Sequence, residues 1–273
     1  AAGDSNLDIT LSHANFSYTG FANTTVTVGK QGLQTPWTNA IDSDGSEQTG
    51  TGVLGMTTMG PVTAAAGYFN QTNVIADGSN LVVAGLLGKL GAVNAQAWYL
   101  DIDEATSAYF VKADGSIDLD GAKLSLFAQY ADKDDDANSD DLSLLKVGVG
   151  VKAGIFGAGY KYATTGDQGS GIVNAVSMNS AIGWNFSLHD EAAEVDAHFL
   201  NVNAQVMPQL NIALNYNLSD SDVATSDEEE ELYTQITWKP SANFYTYIRL
   251  GEYTADSTAK TESKGRLQVE YKF

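Results

Sequence analysis

The sequence predicts an all-β fold, a transmembrane antiparallel up-and-down β-barrel with about 15 strands in this chain. Three observations carry the prediction. Apolar and polar residues alternate with a period of two, in segments of about ten residues, from one end to the other. The polar set in these segments holds Gly, Asn, Gln, Ser and Lys, which pack a dry core poorly and suit a wet lumen. The last segment, 262–273, sets Gly265, Leu267, Val269, Tyr271 and Phe273 against Lys264, Arg266, Gln268, Glu270 and Lys272. A strand places alternate residues on opposite faces, so one face there is apolar and the other charged. Closing on a terminal Phe is typical of bacterial outer-membrane barrels, which makes the bacterial outer membrane the expected location.

Composition sets the limits. The 273 residues are read as one domain, 1–273, and include no Cys, so disulfides and thiolate metal sites are excluded. No run of 18 apolar residues exists, so a spanning helix is not expected, and there is no secretory signal at the start. A net charge of −20 argues against nucleic acid and bare anionic lipid as partners.

Strands are expected near 7–18, 24–35, 51–59, 62–70, 80–88, 92–101, 106–113, 121–131, 142–153, 156–164, 193–206, 210–219, 231–238, 242–253 and 262–273. Each rests on alternation. Val93, Ala95, Ala97 and Tyr99 interleave with Asn94, Gln96, Trp98 and Leu100. Leu124, Leu126, Ala128 and Tyr130 interleave with Lys123, Ser125, Phe127 and Gln129. Leu145, Val147, Val149 and Val151 interleave with Lys146, Gly148, Gly150 and Lys152, and Ile212, Leu214, Tyr216 and Leu218 with Asn211, Ala213, Asn215 and Asn217. A one-layer sheet could also show a wet face, but so many strands favour closure.

Connections alternate between short and long. The short ones include Gly60-Pro61, Gly154-Ile155, Met207-Pro208-Gln209 and the turn at Pro240, with 114–121 a longer member. The long polar ones are 35–50, 71–79, 132–141, 164–190, 219–230 and 254–261, with 101–105 a shorter member. Outer-membrane barrels have short periplasmic turns and longer outer loops. The acidic stretches at 132–141 and 219–230 should therefore lie at one end, opposite Pro61, Pro208 and Pro240. An odd strand count that starts inward conflicts with the even number of single-chain barrels, which suggests absent N-terminal strands. Reading Met178–Leu188 as a further strand would reverse the sidedness of half the chain.

Ala14-Asn15-Phe16-Ser17-Tyr18 and the run Val26-Thr27-Val28-Gly29-Lys30-Gln31-Gly32-Leu33-Gln34-Thr35-Pro36-Trp37 resemble the OprD-type and related major outer membrane porins. Ala95–Asp103 and Phe127-Ala128-Gln129-Tyr130 are similar too, though only Gly29–Pro36 is distinctive. The resemblance implies a barrel of 16 to 18 strands of which 7–18 corresponds to the family's fourth, and an outer-membrane porin, not an enzyme, that passes small polar solutes and ions by passive diffusion. It also implies that 35–50 folds into the bore as the constriction loop. Lys30 stands where the family has Arg, and the loop after Trp37 is short and lacks the usual basic stretch. The alternative class is an outer-membrane barrel acting through its loops, as an adhesin or assembly component. A hydrolase is the remaining one.

The candidate pore-lining residues are Lys123, Lys146, Lys161, Arg249, Arg266 and Glu270, all on polar faces, with Lys152, Lys264 and Lys272 in the same phase. A ladder of cations would guide carboxylate groups. The bland reading is that they pair with Glu270 and its neighbours and merely keep the bore wet. In the constriction loop, Trp37 is expected on the inner wall and Asp42, Asp44 and Glu47 in the aqueous path. Tyr68, Tyr99, Tyr130, Tyr160, Tyr162, Tyr216, Trp238, Tyr271 and Phe273 are placed as membrane-interface girdles. The runs Asp134–Asp136 with Asp140-Asp141, and Asp227–Glu231, lack the spacing of a calcium loop and read as solvated charge. His13, His189 and His198 have no fixed-spacing carboxylate pair, and His189-Asp190 is the one hydrolase candidate. No cofactor or metal is expected. The expected partners are outer-membrane lipid with lipopolysaccharide, small polar solutes or ions, and further copies of the chain, a homotrimer among them.

Overall fold

The computed structural model describes residues 11–38, 40, 47–74, 79–135, 138–170, 181–186, 188, 193–222, 228–255 and 260–272, the side chains of 135 and 138–141 excepted. The strands are β1 Ala14–Tyr18, β2 Thr24–Gly32, β3 Thr49–Met59, β4 Val62–Thr72, β5 Leu81–Leu90, β6 Val93–Ile102, β7 Thr106–Leu119 and β8 Ala122–Asp135. They continue as β9 Asn138–Ala153, β10 Phe156–Thr165, β11 Val195–Met207, β12 Leu210–Ser221, β13 Glu228–Trp238, β14 Phe244–Thr254 and β15 Glu262–Tyr271. All belong to one sheet, ordered β1 to β15 with every neighbour antiparallel, and no helix occurs among the described residues. This is the all-β up-and-down arrangement that the alternation predicts.

The two faces separate as the period demands. On the outer face Leu126, Val149, Val151, Leu200, Val202, Ile212, Leu214, Ile236, Ile248, Leu267 and Val269 stand exposed. In water such a surface would be a large unpartnered apolar patch, whereas in a bilayer it is the lipid-facing band. Lys89 of β5 and Tyr233 of β13 line one cavity, and Trp37 beyond β2 packs on Phe110 of β7, so the sheet curls about an interior.

Four of the short turns place a glycine at positive φ, Gly60 at 60°, Gly91 at 65°, Gly121 at 79° and Gly154 at 58°, a conformation that costs other residues. Pro61, Pro208 and Pro240 all lie in connections at this end, and the two acidic stretches lie at the other. Aromatic side chains cluster on the outer face near both ends. Tyr68, Tyr99, Tyr109, Tyr130, Tyr160, Tyr162 and Tyr216 lie toward the long connections, and Phe156, Trp238, Phe244 and Tyr271 toward the turns. Phe273 lies outside the described residues.

Several strands run further than expected. β8 reaches Asp135 and β9 starts at Asn138, while β12 reaches Ser221 and β13 starts at Glu228, so the described parts of both acidic stretches are mostly paired strand and not loop. β7 likewise continues to Leu119 through the expected turn at 114–121. Beyond the bilayer both faces meet water, so alternation fades while backbone pairing continues, and a polar run there is indistinguishable from a loop in sequence. β1 and β2 are shorter than expected. β1 begins at Ala14, with 7–10 outside the described residues, and β2 ends at Gly32, where the chain turns inward.

Candidate functional site

The distinctive run 29–36 works through backbone geometry. Gly29 has φ 120°, and a Cβ there would stand 2.4 Å from the Ala14 carbonyl oxygen, so β1 approaches β2 only against a glycine. Lys30 keeps the phase of outward Val28 and donates from Nζ to the Leu11 carbonyl (2.8 Å), away from the lumen. After β2 a tight turn aims Trp37 inward. The Thr38 hydroxyl donates to the Leu33 carbonyl (2.8 Å), and the Thr35 and Thr38 hydroxyls lie 2.7 Å apart. Trp37 is fully buried, edge-on to Phe110 with ring centroids 6.3 Å apart. The far end of the loop is fixed by Asn73, whose Oδ1 accepts from Thr49 N (2.7 Å) and whose Nδ2 donates to the Glu47 carbonyl (2.8 Å). Glu47 Oε2 lies 3.8 Å from His13 Nδ1. Ile41, Asp42 and Asp44 lie outside the described residues.

A second segment enters the bore from the connection between β10 and β11. Ile182, Phe186 and Leu188 are buried with Trp37, Phe69, Phe110 and Phe199 in one apolar cluster inside the sheet. No strand forms over the described part of 178–188, and 178–180 lie outside the described residues. Backbone bonds from Ile182 N and Gly183 N to the Phe186 carbonyl fold 182–186 into a compact turn. Lys146 Nζ donates to the Ala181 carbonyl (2.9 Å).

Toward the turn end of this segment lies a cavity of about 1170 Å³. Lys89, Lys112, Lys123, Lys146 and Lys161 line it, together with Asp114 and Asp118. The register explains the grouping. Lys112, Gln129 and Lys146 are successive cross-strand partners on β7, β8 and β9, while Lys161 faces Gly148 and Phe199. Lys161 Nζ stands 4.6 Å from the centre of the Phe199 ring, which leaves its charge on an apolar wall.

Arg249 and Arg266 form a separate group. They are direct cross-strand partners on β14 and β15, so two like charges share one face. Arg249 is stabilised by rings, with its guanidinium 4.7 Å from Tyr247 and 5.6 Å from both Tyr233 and Trp184, and by donation to Gln235 Oε1 (2.5 Å). Glu270 accepts from Gln268 Nε2 (2.6 Å), and Gln268 Oε1 accepts from the Tyr247 hydroxyl (2.6 Å). Thus the structure brings Lys123, Lys146 and Lys161 to one cavity, and gathers Arg249, Arg266 and Glu270 on another wall.

Lys89, Lys112 and Glu231 also face the interior, beyond the candidate pore-lining set. Phase alone places Lys112 there, between outward Val111 and Ala113. His198 points outward, its Nδ1 2.7 Å from the Tyr160 hydroxyl, and His189 and Asp190 lie outside the described residues. Among the described residues no group of His, Cys, Asp and Glu could hold a metal ion.

No family model matches the chain, and no curated protein matches it by sequence. Solved structures do. Pseudomonas aeruginosa OccK5 (OpdH) superposes with a TM-score of 0.74 at 17% identity, over 92% of this chain and 78% of that one. Pseudomonas aeruginosa OpdL gives a TM-score of 0.75 at 17% identity, over 92% and 78%. The outer membrane protein OpdK of Pseudomonas aeruginosa gives 0.75 at 14% identity, over 92% and 76%, and has also been crystallised with vanillate. The chain therefore has the fold of OprD-type outer-membrane porins, the proteins its sequence resembles.

Proposed function

We propose that this protein is an outer-membrane porin whose water-filled lumen passes small polar solutes and ions by diffusion, with small carboxylates its favoured class. The observation that carries this reading is the lysine-lined cavity inside a sheet whose other face is apolar. The exposed band would sit in lipid, including lipopolysaccharide, with the two aromatic clusters at its borders. Solutes would then cross beside the inserted segments. In a narrow passage with low-dielectric walls a fixed charge acts more strongly than at an open mouth. Lys112, Lys146 and Lys161 would draw a carboxylate past the narrowing, while the paired Arg249 and Arg266 offer further charge along the far wall. The vanillate found with OpdK is itself a carboxylate, which supports that solute class here.

Swelling of proteoliposomes in isotonic solute tests the reading. Vesicles holding the protein are expected to swell in a small neutral sugar, and faster in a small monocarboxylate than in an amine of the same size. Vesicles that stay sealed to all three solutes contradict it.

A further inference from the structure

The inward turn 182–186 is not held by apolar packing alone. Glu231 of β13 is 1% exposed, and three donors of the turn converge on its carboxylate. Trp184 N donates to Oε2 (2.8 Å), Asn185 N to Oε1 (2.8 Å) and Asn185 Nδ2 to Oε1 (2.6 Å). Gly183 is seated against the same carboxylate, because a Cβ there would lie 2.4 Å from Glu231 Oε2 and 2.9 Å from Asn217 Nδ2. The Arg249 guanidinium lies over the Trp184 ring, and Trp184 packs edge-on to Tyr233 with ring centroids 5.5 Å apart. On the opposite side Lys146 of β9 holds the Ala181 carbonyl. The segment is therefore tied to two strands, β9 and β13, that stand four places apart in the sheet.

From this geometry we infer that Glu231 is the fastener of a second constriction: it positions the 181–186 segment across the bore and thereby sets how wide the lumen opens beside the lysine-lined cavity. The inference rests on the porin reading for its effect on transport, but not for the fastening itself. A carboxylate suits the task because it accepts several hydrogen bonds at once, and bonds to an ionised acceptor are the stronger kind. Buried without them it would be costly, so turn and carboxylate hold each other in place. Gln at 231 keeps one acceptor oxygen but turns an amide toward the Trp184 N–H. It should loosen the turn less than Ala does.

Two readouts on the refolded protein test this. The first is hydrogen exchange in the peptide spanning Ala181–Phe186. Glu231→Ala should exchange there roughly 10-fold faster or more, the factor expected when hydrogen bonds to a charged group are lost, with Glu231→Gln in between. The second is single-channel conductance, which should rise in the same order. Glu230→Ala is the control: it removes the same charge from the adjacent residue, which faces outward opposite Leu218 and Thr254. It should change neither readout. Unchanged exchange in Glu231→Ala overturns the fastening. Faster exchange with unchanged conductance in a conducting wild type overturns the constriction. A wild type that never conducts would instead count against the porin reading, while exchange still decides the fastening.

Discussion

Replacing Leu214 by Arg should be among the most damaging single changes on the outer face, and the structure gives its size. The outward residues of β12 run Leu210, Ile212, Leu214, Tyr216 and Leu218, with Asp220 beyond them. At about 3.4 Å per residue and a tilt of about 40°, Leu210 to Leu218 spans roughly 20 Å of membrane depth. Leu214 is midway, about 10 Å from either end of a band that is typically about 25 Å tall. An Arg at the bilayer midplane of a barrel costs about 2–4 kcal/mol, which is roughly 30- to 1000-fold in the folding equilibrium. Leu218→Arg, beside Glu230 at the rim, should cost only about 0–1 kcal/mol. Ala213→Arg, one residue away but in the lumen beside Asn203 and Gln235, should cost much less than Leu214→Arg, because its charge stays in water. Urea titrations in phospholipid vesicles measure all three. If Ala213→Arg costs as much as Leu214→Arg, the two faces are not lipid and lumen, and the reasoning fails.

Other outcomes follow from the interior. Neutralising Lys112 and Lys161 together should shift the reversal potential toward cations in a salt gradient, most strongly at low salt. Shortening the loop across 39–46 while keeping its pinned ends at Thr38 and Glu47 should raise single-channel conductance, and neutralising Asp42, Asp44 and Glu47 should lower cation preference. Gly148→Ser should destabilise, because a Cβ there meets the Phe127 ring at 2.2 Å, whereas Gly150→Ser meets only ordinary contacts and should be tolerated in the same urea assay.

Much of this was legible in the sequence because a period of two is a local signal. Strand number, the outward faces and the sidedness of the prolines needed nothing more. Phase puts Lys123, Lys146, Lys161, Arg249 and Arg266 on the polar face; the three lysines line the cavity, and the two arginines lie opposite each other on β14 and β15. The rest was hidden where phase carries no information. Glu231 sits in a run of five acids that reads as solvated charge, yet it shares the inward phase of Tyr233 and Gln235. Its partners, Trp184 and Asn185, lie 47 and 46 residues away in a stretch with no period at all. Gly148 reads as an open luminal position, but the neighbouring strand lays Phe127 over it, and cross-strand packing of that kind appears only once the register is known.

A planar lipid bilayer with a salt gradient across it gives the most direct test. Single insertions of the wild-type protein are expected to give steady, ohmic current steps, with a reversal potential that moves toward cations when Lys112 and Lys161 are neutralised. A protein that inserts, folds and seals without passing steady current, or whose selectivity ignores those lysines, would contradict a channel that reads charge through its lumen.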